Sequence, residues 1–135
     1  MTEQLTESET KDTTVVISRE VSHPLKAVWN VLVTPTGMEA LLGEGGQLGD
    51  KGDRWEAKDG RYGMTRSFHP LEQIRFSWHA GEGAPRTMVD LRLRAKDDST
   101  TVLEIRHEHV GPDLDPAELE THWGTALEQI AAQAS

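Results

Sequence analysis

Apolar and polar positions along the chain repeat with two periods, and the switches between them fall at turn residues. Thr13 to Val21 (TTVVISREV) is β-branched and alternating, which predicts a strand. Ser22-His23-Pro24 then opens a helix, since proline is tolerated in a first turn. Leu25, Val28, Trp29 and Leu32 fall at helical spacing and give that helix one apolar face. Thr34-Pro35 interrupts it, and a second short helix over Thr36 to Leu42 ends at Gly43.

From Asp53 onward the period is two. Arg54 to Ala57 reads as a short strand, Lys58-Asp59-Gly60 as a hairpin turn, and Arg61 to Phe68 as the next strand, stopped by His69-Pro70. Ile74, Phe76 and Trp78 alternate with polar residues, as do Val89, Leu91 and Leu93 after the Gly81–Pro85 loop. Asp97-Asp98-Ser99 turns the chain into a last strand carrying Leu103 and Ile105. Strands patterned in this way need cover for their apolar face. It comes last: Asp115-Pro116-Ala117-Glu118 is a helix start with cap, first-turn proline and capping-box glutamate. Leu119, Trp123, Leu127 and Ile130 then form an apolar stripe. The order is strand, two short helices, five strands, long helix, which makes an α+β domain of one sheet on one long helix.

Composition narrows the function classes. A chain of 135 residues is expected to form one domain, here residues 13–133, after a disordered acidic tail over 1–12. The tail (MTEQLTESETKD) lacks the apolar centre of a secretory signal, and no apolar run approaches the length of a membrane span. Cysteine is absent, which removes disulfides, thiolate metal sites and thiol nucleophiles and fits a reducing cytoplasm. The net charge is −9, and residues 107–135 carry 6 acids with no lysine or arginine. Such a chain repels phosphate backbones, so no nucleic-acid partner is expected. Five glycines within residues 43–52 suggest a phosphate loop, but the spacing matches no such motif and Glu44 and Asp50 oppose it. A crossing loop or cavity lid is the expected role.

Several short segments, in order, carry a family resemblance. They are Pro24-Leu25-Lys26-Ala27-Val28-Trp29, Gly52-Asp53-Arg54-Trp55, and Gly63 with Pro70-Leu71-Glu72-Gln73-Ile74 and Trp78. Thr100-Thr101-Val102-Leu103-Glu104-Ile105, His107 and the Trp123, Leu127, Ile130 helix complete them. Over about residues 13–131 the chain resembles the helix-grip superfamily of START-like (SRPBCC) lipid-transfer domains, polyketide cyclases and birch pollen allergens. Within it, the similarity is greatest to the homologues of the heat-shock-protein-90 ATPase activator. The resemblance implies a curved six-stranded antiparallel sheet wrapped around the long C-terminal helix, with two short helices after the first strand and a ligand cavity between sheet and helix. The chain departs from the family at Leu41-Leu42, where a tryptophan is usual, and at His122, where a glycine is usual. Both positions border the family's cavity.

Candidate site residues follow from strand alternation. If Leu103 and Ile105 face the helix, so do His107 and His109. His-x-His is also a metal-ligand spacing, but no third ligand is evident, so ordinary hydrogen bonding is expected and no metal. Arg66 shares a face with Met64 and Phe68 and is expected to point inward, where a guanidinium demands water or a carboxylate. Trp55, Trp78 and Trp123, large aromatics of a small core, either line a pocket or simply fill the interior. Pairing Leu93 with Leu103 across the Asp97–Ser99 turn sets Leu91 against Ile105, Val89 against His107 and Thr87 against His109. The expected cavity therefore has His107, His109 and Arg66 as its polar end and Phe76, Trp78, Val89 and Trp123 as apolar wall.

No nucleophile arrangement of the Ser-His-Asp kind is supported. The expected function is binding of a small apolar or amphipathic organic ligand, without cofactor. Two alternatives stand beside it: a cofactor-free cyclase, dehydratase or hydrolase in the same cavity, and a co-chaperone-like interaction module. A homodimer is compatible with the sequence; a chaperone partner is not expected, because the chain lacks the activator's additional N-terminal domain.

Overall fold

The computed structural model describes residues 13–134; the tail expected over 1–12 lies outside them. The elements are β1 (Thr13–Val21), α1 (Leu25–Leu32), α2 (Pro35–Leu42), β2 (Arg54–Glu56), β3 (Tyr62–His69), β4 (Gln73–Trp78), β5 (Thr87–Asp97), β6 (Thr100–Val110) and α3 (Pro116–Ala134). The strands form one antiparallel sheet in the order β1-β6-β5-β4-β3-β2. The helix α3 packs on β1 and β6 and on both short helices. This is the helix-grip architecture, α+β, with the two short helices closing the end of the sheet.

Local chemistry places these boundaries. Thr34 Oγ1 accepts the Gly37 N–H at 3.1 Å, and with Pro35 at the first helical position it starts α2 one residue earlier than the spacing predicts. Gly37 sits against the end of α1, where any side chain would overlap the Val31 carbonyl oxygen. Asp115 caps α3 by accepting the Ala117 N–H at 3.0 Å. The stripe Leu119, Trp123, Leu127 and Ile130 is buried, as are Ile74, Phe76, Val89, Leu91, Leu103 and Ile105 facing it.

The β5–β6 hairpin has the register expected from its turn: Leu93 pairs with Leu103, Leu91 with Ile105 and Val89 with His107. That pairing shifts by one residue only beside its turn, between Ala95 and Asp97, and two irregularities elsewhere reverse the alternation at predicted site residues. In β3 the pairing to β4 shifts between Thr65 and Ser67. Thr65 is therefore fully buried, while Met64 (38% exposed) and Arg66 point outward, contrary to expectation. After the shift Phe68 returns to the core, edge-on to Trp29 with ring centroids 5.6 Å apart. In β6, His109 adopts a left-handed backbone (φ 63°) beside the irregularity in the β1–β6 pairing. His107 and Val110 are buried, and the intervening His109 is exposed, again contrary to expectation. In both strands an inserted residue shifts the side-chain phase by one, as a bulge does.

Candidate functional site

The interior polar centre is a chain of three hydrogen bonds linking α3 to the sheet. Trp123 Nε1–H donates to His107 Nδ1 at 3.0 Å. His107 Nε2 lies 2.7 Å from Thr87 Oγ1, and the Thr87 hydroxyl donates to the Trp78 carbonyl at 2.7 Å. The one hydroxyl proton is committed to the carbonyl, so Thr87 must accept from His107 Nε2–H. His107 is thereby fixed as the neutral Nε2–H tautomer. Protonation would set an Nδ1–H against the indole N–H. Burial first, and then the nearby His122 charge, lowers the His107 pKa from 6.5 to about 4.

A second group of side chains lies beside this chain, at the end of the sheet near the β2–β3 turn. The His122 ring packs against Trp123 (centroids 4.5 Å) and faces Trp78 (6.4 Å). Its pKa is also lowered to about 4, by burial and then by the Arg61 charge, against an opposing effect of Asp59. The Arg61 guanidinium lies 5.9 Å from the Trp78 ring and pairs with Asp59 at 3.3 Å. His122 Nε2 and Trp78 Nε1 are buried and have no protein hydrogen-bond partner. Buried polar atoms are nearly always paired, so two on adjacent rings form a conspicuous gap.

The sequence-predicted residues divide accordingly. Trp78, His107 and Trp123 meet at this centre, with Val89 opposite His107 in the sheet. Trp55 is buried beside Phe76, its indole N–H donating to the Ser77 carbonyl at 3.1 Å. Met64, Arg66 and His109 lie elsewhere, because the two strand irregularities turn them out. No cavity separates His107 from Trp123, which are in direct contact. Surface pockets of about 190 to 400 Å³ lie away from His107 and Trp123, and Met64 and Arg66 line the smallest of these. Among the described residues no three histidines or carboxylates come together as a metal site. The contributions of Arg61 and Asp59 were not legible beforehand: an Asp-Gly turn signals a hairpin, not where its flanking charges land. Thr87 was placed only as a strand partner, although a threonine facing a core histidine is a recognisable hydrogen-bonding pair.

Fold and site together define a helix-grip domain with a polar, aromatic-lined interior, and solved structures share that architecture. CalU16 from Micromonospora echinospora is 24% identical, with a TM-score of 0.75 over 90% of this chain and 76% of that one. DynU16, from the dynemicin biosynthetic locus, is 20% identical, with a TM-score of 0.67 over 88% of this chain and 46% of that one. An HSP90 activator from Plasmodium falciparum is 13% identical, with a TM-score of 0.72 over 88% of this chain and 94% of that one. At these identities the likeness is one of fold, the helix-grip fold that the sequence resemblance implied. No protein-family model and no curated protein matches the sequence. No helix among the described residues is long and apolar enough to cross a membrane.

Proposed function

We propose that the protein binds a small, partly apolar organic molecule between the sheet and α3, at the end where Trp78, His122 and Arg61 meet. The observation carrying this reading is the pair of buried, unpartnered ring nitrogens, Trp78 Nε1 and His122 Nε2. Leaving such groups unsatisfied costs about 1–3 kcal/mol each, a penalty that a ligand carbonyl or carboxylate would remove. Trp123 packs against both rings, and the Arg61 guanidinium, paired with Asp59, lies 5.9 Å from the Trp78 ring. The ligand enters by displacing the β2–β3 turn, whose Lys58 and Asp59 are exposed. Met64, Arg66 and His109 take no part. The likeness to DynU16, from a biosynthetic locus, is in keeping with a small organic ligand.

The geometry favours binding over catalysis. His107 has both nitrogens committed within the protein and is held neutral, so it is unavailable as a general acid or base. Native mass spectrometry of protein purified from its own host tests the proposal. Wild type is expected to carry a non-covalent organic adduct that Trp78→Phe loses, since that variant keeps the ring and removes the donor. Wild type found only at its apo mass would refute it.

A further inference from the structure

On the opposite face of the sheet, a pocket of about 190 Å³ is lined by Arg54, Tyr62, Met64, Arg66, His79 and Arg86, with Gly63 and Ser77 at its floor. The β3 irregularity builds it, since Met64 and Arg66 reach this face only through the shifted phase. Tyr62 forms its rigid side: His79 stacks on the ring at 4.3 Å with the planes 4° apart, and the Arg54 guanidinium lies 4.5 Å from the ring centroid. Met64, at 38% exposure, offers an apolar surface in the same pocket.

The charge there is unbalanced. Arg54 has an exposed partner in Glu56 at 3.6 Å. Arg66 donates to the Met64 sulfur at 3.9 Å, and neither Arg66 nor Arg86 pairs with a carboxylate among the described residues. Arg75 and Arg92, by contrast, are held by Asp90, and Arg75 also by Glu108. In a chain of net charge −9, two arginines converging without a carboxylate leave a local cationic pocket. Guanidinium forks match carboxylate and phosphate oxygens two at a time. The volume is below the roughly 300 Å³ at which drug-sized sites begin, so the occupant is small.

The geometry points to a second binding site, for a small organic anion: a carboxylate or phosphate head held by Arg66 and Arg86, with a compact apolar body against Met64. It shares no residue with the interior site, and the failure of either leaves the other standing. Titration of the full chain with benzoate, phenyl phosphate and neutral benzamide, followed by NMR of the Met64 methyl and the arginine Nε–H groups, tests it. At least one anion is expected to bind saturably, benzamide not at all, and Arg66→Gln and Arg86→Gln each to weaken binding at least about fivefold. The tighter of the two anions identifies the head group. Absence of binding by both anions, equal binding of benzamide, or unchanged affinity in the two variants would overturn the assignment.

Discussion

Trp123 on the long helix and His107 on the sheet meet through an indole N–H and an imidazole nitrogen 3.0 Å apart, both residues fully buried. The contact joins the helix to the sheet at a defined point, where apolar packing alone would tolerate sliding. It also makes the consequences of substitution separable into packing and hydrogen bonding.

Trp123→Phe should cost about 1–3 kcal/mol, because it keeps most of the ring yet leaves His107 Nδ1 a buried acceptor without a donor. Trp123→Ala should cost about 3–5 kcal/mol by adding a cavity. Urea unfolding of both variants measures the difference. Equal stability of the phenylalanine variant and wild type would mean that the hydrogen bond contributes nothing.

Thr87→Val removes the hydroxyl that accepts from His107 and donates to the Trp78 carbonyl, at nearly constant volume. A loss of about 1–3 kcal/mol is expected from the two groups left unpaired. Nitrogen NMR of wild type should show His107 as the Nε2–H tautomer, and a proton found on Nδ1 would contradict the assigned direction of the chain.

Stability should fall as the pH drops from about 6.5 toward 4. In that window the unfolded chain takes up protons at His107 and His122, whose folded pKa values are both lowered to about 4. The unfolded state binds more protons there, so each such histidine destabilises the fold by about 1.4 kcal/mol per pH unit, approaching about 3 kcal/mol for His107. Above pH 6.5 the contribution is complete and the profile should be flat in this respect. His107→Gln should lower stability near neutrality but reduce the slope below pH 6.5; an unchanged slope would assign the acid sensitivity to other groups.

Metal content should stay well below one zinc, iron or nickel per chain in tag-free protein. The only His-x-His spacing is split between a buried His107 with both nitrogens engaged and an exposed His109. Elemental analysis decides this, and stoichiometric metal lost in His107→Ala would refute it.

Much of the fold was legible because its signals are local. The Asp-Pro-Ala-Glu start and the four-residue steps from Leu119 to Trp123 to Leu127 fix both the beginning of α3 and its buried face. Beyond a one-residue shift between Ala95 and Asp97 next to the turn, the β5–β6 register runs unbroken from Ala95 opposite Thr101 to Met88 opposite Glu108, including the expected opposition of Val89 and His107. The site was only partly legible, because alternation is a rule for strands without bulges. Neither shift carries the glycine that often marks one: in β6 the left-handed residue is His109, and in β3 the shift falls within Thr-Arg-Ser. One extra residue in each strand sent Arg66 and His109 outward. The meeting of His122 with Trp78 depends on how far α3 lies along the sheet, a packing distance that no sequence spacing encodes.

The chain of hydrogen bonds from Trp123 through His107 and Thr87 also bears on how this sequence can drift. Each member presents a donor or acceptor useful only while its neighbour keeps the complementary one, so positions 87, 107 and 123 behave as a single heritable unit. A lineage that replaces the indole with a ring lacking N–H gains by exchanging the imidazole for an apolar side chain. The threonine is then free to follow. Related sequences should therefore hold the trio complete or have lost it together, and those retaining only its middle member should be rare.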